Sequence, residues 1–447
     1  MPRPIAKVVA VVIRFADQIG PIRLVLVGYA IYAVVGWVLL AMPFSHTPGT
    51  SVAAVDSLFT SVSALSTTGL STVSMPDAFS WFGELVILLL IQMGGLGYMT
   101  LGSFIVLSTR RELGGLRTEV GKITFSMPEG FGLASFVRTV CIYTFALEFV
   151  GAAALYFAFR DAGVKDAAWP AVFHSVSAFC TAGFSTFPDS LETFRDDFWV
   201  NSIISFLSIA GAIGFIVVAD MVRWLGGHAK SMTVTSRIIL FGTIGGILGG
   251  TALILMSDPS IREMPPHLAL QTAFFQSMTA ATTVGFNSVP INEMSRAAIA
   301  VVTILMIIGS SPSGTGGGLK ITTLSALLGQ TVAALRGKDR VTFWGRRIPH
   351  DRVQAATSGA TCYMVTLAVG VFLVLLVDKH VFEDVVFEVA SALGTVGLSR
   401  GITPDLSPLA KIIITALMYV GRVGPLTIGV AMFLADGHGP CDEDLVV

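Results

Sequence analysis

Residues 282–286 read TTVGF and residues 394–398 read GTVGL, and a Thr-x-Gly core of this kind occurs four times, each after a short apolar run. Aligned on Gly69, Gly183, Gly285 and Gly397, the chain repeats itself at spacings of 114, 102 and 112 residues, so the repeats fill the protein. Threonine stands two residues before every glycine (Thr67, Thr181, Thr283, Thr395), with Thr68, Ala182, Val284 and Val396 between. A large apolar residue follows each glycine (Leu70, Phe184, Phe286, Leu398), then a small polar one (Ser71, Ser185, Asn287, Ser399). Phenylalanine stands ten residues before (Phe59, Phe173, Phe275, Phe387), a small hydroxyl residue six before (Ser63, Ser177, Thr279, Ser391), and alanine five before (Ala64, Ala178, Ala280, Ala392). Repetition at this resolution marks a repeated structural unit. Glycine admits backbone conformations closed to other residues, so successive carbonyl oxygens can face one axis and replace an ion's hydration shell. The threonine adds a further carbonyl and a hydroxyl, and the apolar residue after the glycine can pack behind the turn and keep it open.

The elements that must position these turns belong to a membrane protein. Of the 447 residues 53% are hydrophobic and 13% charged, against about 25% charged in soluble domains. Runs long enough to cross a hydrocarbon layer of roughly 30 Å, about 20 helical residues, lie near 24–43, 82–108, 137–159, 198–222, 237–256, 297–335, 354–377 and 409–434. Between them, 54–69, 170–183, 270–285 and 383–397 carry about a dozen helical residues each, roughly 18 Å, too short to cross. These are expected to be re-entrant half-helices. The fold class is thus all-α integral membrane, with four tandem span, half-helix, span repeats in pseudo-fourfold symmetry around a central pore. The expected boundaries are 1–23 for an N-terminal segment, 24–110, 137–225, 236–335 and 353–434 for the repeats, and 435–447 for a tail.

Charge is informative by location. The net formal charge of −1 gives no pull toward nucleic acid or anionic lipid as a whole. The segments 1–23, 108–138, 223–237 and 336–352 hold 4, 5, 3 and 6 lysines and arginines, which places both termini in the cytoplasm of a multi-pass cell-membrane protein. The N-terminus lacks a clean small-x-small cleavage site, and Arg14 interrupts its apolar part, so a retained cytoplasmic or interfacial helix is expected. All four half-helices then enter from outside, and their C-terminal dipole ends favour a cation at the turns. Cys141, Cys180, Cys362 and Cys441 are far apart, with no CxxC and no partnering histidines, which suggests neither zinc nor a disulfide framework. Close helix packing at small residues is the alternative account of Ala and Gly, but it does not demand Thr and Gly at the same offsets four times.

The second span of each repeat holds a glycine beyond the turn: GGLG at 94–97, GAIG at 211–214, GSSP at 309–312 and GRVG at 421–424. The third continues as GSSPSGTGGGLKITT, whose Ser310, Ser311, Pro312, Ser313, Gly314, Thr315, Gly316, Gly317 and Gly318 are strongly helix-breaking. That span is expected to split around an intramembrane loop on the cytoplasmic side of the turns, where it could block ions. Arg422 aligns with Gly95, Ala212 and Ser310; a charge at this depth must face protein or water. It either donates to loop carbonyls and holds the loop shut or pairs structurally with a carboxylate. Lys320 either snorkels or tethers the loop. Glu148 and Glu388 read as structural partners rather than ion ligands, and Asp220, near a span end, as solvated. A phosphate-binding loop is not supported, because Leu319 separates Gly318 from Lys320 and no strand precedes it. An intramembrane serine hydrolase would have Ser310, Ser311 or Ser313 as nucleophile, but no neighbouring span offers a histidine, since His174 lies on a half-helix.

The TVG of the third and fourth turns is similar to the start of the potassium-channel filter sequence TVGYG. The fourfold layout, with a glycine-rich loop followed by Gly-Leu-Lys-x-Thr-Thr, resembles the Trk/Ktr/HKT family of potassium transporters over essentially the whole chain. Eight spans with no extra N-terminal pair resemble the bacterial KtrB-type subunit most. The resemblance implies potassium uptake without enzymatic activity, a filter of backbone carbonyls holding K+ (or Na+), and a gate at the third-repeat loop. The second glycine of TVGYG is missing in all four repeats, which implies a shorter and less selective filter. Gly69 argues for potassium, since serine there accompanies sodium preference in some family members; a sodium-permeable transporter remains the alternative. The resemblance further implies a homodimer docked on a cytosolic regulatory ring of KtrA/RCK type that binds the nucleotide, with no covalent cofactor on this chain. The basic loop 335–352 could dock that ring or be a plain positive-inside loop, and the tail CDEDLVV carries no reading.

Overall fold

The computed structural model describes residues 21–97, 133–227 and 230–428. The N-terminal segment before residue 21, the tail 435–447 with Cys441, most of the basic segment 108–138, and the expected span ends at 98–108 and 429–434 lie outside the described residues.

The chain is mostly helical. Its helices are α1 (Pro21–Leu40), α2 (Ala54–Leu65), α3 (Trp81–Leu96), α4 (Leu133–Asp161), α5 (Ala168–Phe179), α6 (Phe198–Ile213), α7 (Phe215–Leu225), α8 (Val234–Ser257), α9 (Pro266–Thr282), α10 (Arg296–Ile308), α11 (Ile321–Leu335), α12 (His350–Val377), α13 (Phe382–Leu393) and α14 (Pro408–Val423). The exception to an all-α composition among the described residues is one antiparallel hairpin, β1 (Thr342–Phe343) with β2 (Arg346–Arg347).

Length and composition explain the helix types. Val137–Asp161, Val234–Ser257 and His350–Val377 are each long and apolar enough to span a membrane. The elements α2, α5 and α13 are 12 residues long and α9 is 17, and each packs against the longer helix before it. Ser61 Oγ donates to the Ala33 carbonyl (2.8 Å), Ser175 Oγ to Glu148 (2.7 Å) and Ser277 Oγ to Ile247 (2.7 Å). Each hydroxyl thus joins a short helix to its neighbour where water is excluded. The helices that follow the turns all start on a capping side chain: Ser80, Asp197, Ser295 and Ser407 accept from the backbone N–H three residues on, each worth about 1 kcal/mol.

The structure corrects three of the eight expected spans. The runs 82–108, 198–222 and 409–434 read as unbroken, yet α3, α6 and α14 stop at Gly97, Gly214 and Gly424, with φ of 76°, 90° and 96°. At Gly214 the chain turns by 92° between α6 and α7. Only glycine takes this backbone without strain, so one residue ends a helix that apolar pattern alone would carry on. In the third repeat α10 stops at Gly309 (φ 67°), and the chain resumes as helix only at Ile321.

Asp220 is a second correction. It is buried rather than solvated, and its Oδ2 accepts from the Thr233 backbone N–H (2.7 Å) and hydroxyl (3.0 Å), which fastens α7 to the start of α8.

Candidate functional site

Each short helix ends in a left-handed threonine followed two residues later by the aligned glycine. Thr67, Thr181, Thr283 and Thr395 have φ of 52°, 51°, 58° and 47°, a region a β-branched residue enters only under constraint. The constraint is visible in the hydrogen bonds. The N–H of Thr68 donates to the Ser63 carbonyl (2.8 Å), Ala182 to Ser177 (2.8 Å), Val284 to Thr279 (3.0 Å) and Val396 to Ser391 (2.8 Å). The next N–H then donates to the side-chain oxygen of the same residue: Gly69 to Ser63 (3.1 Å), Gly285 to Thr279 (3.0 Å) and Gly397 to Ser391 (3.0 Å). Ser63 and Ser177 also donate to the carbonyls of Leu70 and Phe184, at 2.7 and 2.8 Å. One hydroxyl residue therefore clamps each turn. The sequence displayed it at a fixed offset, but its role became legible only when the backbone was in place.

The clamp fixes where the carbonyls go. No peptide among the described residues is cis, and in a planar trans peptide the C=O points opposite to the N–H. With the N–H groups bound back to the short helix, the carbonyls of Thr67 and Thr68, and of their counterparts, point away from it. They meet the other turns. A Cβ at Gly69 would strike the Ala182 carbonyl oxygen, one at Gly183 that of Val284, one at Gly285 that of Val396, and one at Gly397 that of Thr68. The order of contact runs first to second to third to fourth and back to first, so the four turns close on one another. Leu70, Phe184, Phe286 and Leu398 are all buried behind them. Thr67 Oγ1 and Thr395 Oγ1 are buried with no hydrogen-bond partner. Oxygens left free in this way, beside carbonyls facing one another, form a donor set suited to an alkali cation.

The segment from Gly309 to Lys320 lies against these turns. Ser311 N–H donates to the Ala212 carbonyl (3.3 Å) and Thr315 N–H to Gly211 (3.1 Å), which seats the segment on the end of α6; Phe215 N–H in turn donates to the Ser313 carbonyl (3.2 Å). Thr315 Oγ1 donates to the Phe179 carbonyl (3.0 Å), and Thr181 Oγ1 lies 3.2 Å from it. Gly317 N–H donates to Thr283 Oγ1 (2.8 Å), and a Cβ at Gly317 would strike the Gly394 carbonyl oxygen. The segment thus touches the second, third and fourth turns. Arg422 supplies the tie to the first repeat: its guanidinium donates to the carbonyls of Thr315 and Gly94. The sequence left open whether this arginine meets carbonyls or a carboxylate; both of these bonds end on carbonyls. Lys320, at φ 82°, donates from Nζ to the carbonyls of Gly316 (2.6 Å) and Gly317 (3.3 Å). Ser310 Oγ is buried with no partner, and Ser310 N–H donates to the Gly317 carbonyl (3.0 Å), pinching the segment together. A cavity of about 320 Å³ is lined by Gly94, Pro312, Gly318, Lys320, Tyr363 and Arg422, among others.

Two carboxyl groups sit deeper than a solvated charge would. Glu148 accepts from Gln92 Nε2 (3.2 Å) with the Cys180 thiol 3.7 Å away. Glu388 is fully buried and accepts from the hydroxyls of Thr403 and Ser399, the latter at 2.8 Å.

The chain is similar to known proteins over most of its length. It is 32% identical over 416 residues to the Ktr system potassium uptake protein B of Bacillus subtilis (strain 168), covering 91% of this chain and 92% of that protein. It is 33% identical over 426 residues to the potassium/sodium uptake protein NtpJ of Enterococcus hirae, covering 93% of each. Its fold matches the crystal structure of the potassium transporter TrkH from Vibrio parahaemolyticus with a TM-score of 0.74 at 21% identity, over 92% of this chain and 84% of that one. These are membrane transporters, which sets aside the intramembrane hydrolase considered for Ser310, Ser311 and Ser313. With residues 29–436 matching the family described as TrkH, cation transport protein, the chain belongs to that family.

Proposed function

We propose that the protein is a potassium-uptake subunit whose four turns form one selectivity filter and whose segment 310–318 is the gate beneath it. The observation that carries the reading is the closed cycle of contacts in which each aligned glycine abuts the carbonyl oxygen of the next turn. Oxygens collected from four backbones replace water around a dehydrated ion, and the buried Thr67 and Thr395 hydroxyls add to that donor set. The four repeats, with the boundaries expected from sequence, surround this axis with pseudo-fourfold symmetry. K+ is cargo held by the chain's own carbonyls; no covalent cofactor is involved, and any nucleotide binds a regulatory partner.

The gate follows from position. Residues 310–318 contact three of the four turns, and Arg422 links them to the remaining repeat, so ions leaving the filter must pass this segment. Held shut, the segment blocks with backbone while Arg422 and Lys320 repel cations. Displacing it breaks a few hydrogen bonds without unfolding a helix, which suits a switch moved by a partner. In this reading the subunit sits in the cell membrane with both termini cytoplasmic, where the basic segments place them, as a homodimer on a cytosolic nucleotide-binding ring of the kind the Ktr-type resemblance implies. A sodium-permeable variant of the same mechanism is the second reading, favoured by the relative named for potassium and sodium uptake.

Rubidium uptake in a host lacking its own potassium systems, with sodium as competitor, tests both. Uptake that rubidium and potassium share and sodium barely inhibits supports the first reading. Strong sodium inhibition supports the second, and absence of saturable uptake overturns the filter assignment.

A further inference from the structure

Nine residues before each aligned glycine stands a polar side chain with no exposure at all: Thr60, His174, Gln276 and Glu388. Such groups are rarely buried to this degree, and each needs a partner. Three find it on the far side of their own turn. His174 Nε2 is hydrogen-bonded to Ser185 Oγ at 2.9 Å, while Nδ1 donates to the Pro170 carbonyl at 2.8 Å and fixes the ring. Gln276 Nε2 donates to Ser288 Oγ at 3.2 Å. Glu388 Oε1 accepts from Ser399 Oγ at 2.8 Å and from Thr403 Oγ1. Thr60 is too short to reach across, and its hydroxyl donates to the Asp56 carbonyl one turn back in α2.

We infer that His174, Gln276 and Glu388 are braces that fix the outer half of the second, third and fourth turns and thereby set ion discrimination, whereas the first turn has no counterpart at that offset among the described residues, its tie there being Ser63 Oγ on the Leu70 carbonyl. This rests on reading the four turns as the filter. The clamp at the sixth residue before the glycine holds the N–H groups of the turn itself; the brace holds the chain where it leaves the turn. Together they pin both ends of the stretch whose carbonyls face the axis. Carbonyl spacing bears on whether a smaller ion is held as well as a larger one, so a turn that loses its brace can close around the smaller ion. The His174 ring also stacks on Phe286, the residue after the third glycine, with centroids 5.8 Å apart, so the second brace supports the neighbouring turn as well. The braces are positioning residues and touch no ion.

Selectivity, read as sodium flux relative to rubidium flux per amount of folded protein, separates a brace from a mere core residue. Glu388→Gln keeps an oxygen for Ser399 and Thr403 and is expected to hold the wild-type ratio within about two-fold, while Glu388→Leu raises it by about five-fold or more, the factor that goes with one lost hydrogen bond. Thr60→Val, at the same depth and offset, is expected to leave the ratio unchanged. Ser399→Ala removes the partner rather than the brace, keeps the proposal testable should Glu388→Leu fail to fold, and is expected to shift the ratio in the same direction. Added to Glu388→Leu, it should shift the ratio no further. A folded Glu388→Leu or Ser399→Ala protein with the wild-type ratio, or a Thr60→Val protein shifted equally, overturns the braces while leaving the filter intact. Absent rubidium uptake by the wild type overturns the filter and the braces with it.

Discussion

Arg422 donates from its guanidinium to the backbone carbonyl of Thr315, 107 residues earlier in the chain, and the same guanidinium reaches Gly94 in the first repeat. Hydrogen bonds from a charged donor contribute about 1.5–3 kcal/mol each. The arginine therefore sets how much the segment beneath the turns resists displacement. Arg422→Gln removes the charge and most of the fork, and basal rubidium uptake is expected to rise by about ten-fold or more. Unchanged or reduced uptake in a variant present at normal levels in the membrane removes Arg422 from the gate.

Deleting Ser311 to Gly317 is expected to raise basal uptake further, since it removes the obstruction itself. It also removes the Ser311 and Thr315 bonds to α6, so Thr315→Val is the milder companion. That change deletes only the hydroxyl that donates to Phe179 and is expected to give a smaller increase in the same direction. A folded deletion variant with wild-type basal flux disproves the gate.

Gly69 has φ 92° and lies against the Ala182 carbonyl oxygen, so any side chain there pushes the first turn out of the cycle. Gly69→Ser is expected to raise sodium flux relative to rubidium, whereas Gly397→Ala, which drives a methyl into the Thr68 carbonyl, should reduce rubidium uptake by at least about ten-fold. Equal ion ratios before and after Gly69→Ser would count against a filter role for that glycine.

The clamps allow a test with an internal control. Ser391→Ala leaves the Gly397 N–H without its acceptor and is expected to destabilise the fourth turn by about 1–3 kcal/mol, seen as weaker discrimination against sodium. Ser391→Thr is expected to be tolerated, because threonine fills the same position in the third repeat and makes the same bond. If alanine and threonine behave alike at this position, the hydroxyl is not what holds the turn.

Glu192, outside the spans, predicts a pH dependence. Burial, with Asp189 and Glu293 nearby, raises its carboxyl pKa above the ordinary value, against the Asn287 amide that donates to it at 2.6 Å. A pKa higher in the folded than in the unfolded protein favours the protonated fold, so this contribution to stability is complete at low pH and is lost as pH rises through the folded value. Glu192→Gln is accordingly expected to melt above wild type at neutral pH, with the two converging below about pH 4. Melting curves in detergent that stay parallel across that range would refute it.

The sequence carried the repeated turns because a fourfold coincidence of residue types at fixed offsets survives without coordinates. It carried the broken third span as well, since glycine, serine and proline are dense between Gly309 and Gly318. It did not reveal the breaks at Gly97, Gly214 and Gly424: apolar composition runs on through a single glycine, and hydropathy cannot register a 92° change of direction. Asp220 was misjudged for a related reason. Its partners are the backbone N–H and the hydroxyl of Thr233, thirteen residues on, and nothing in the residue types says that the chain folds back to bring them together. The ends of Arg422's bonds were hidden in the same way, because every residue offers a carbonyl.

The contact between Gly397 and Thr68 has a consequence for biogenesis. The ribosome releases the first turn long before the last is made, and until then the carbonyl of Thr68 has no neighbour at its fourth-repeat face. Helices can insert one after another as they emerge, but the ion-holding centre can assemble only after translation has passed the fourth turn, late in the chain. Nascent chains arrested short of that point should reside in the bilayer yet resist proteases poorly, and extending them past residue 398 should bring protection in a single step.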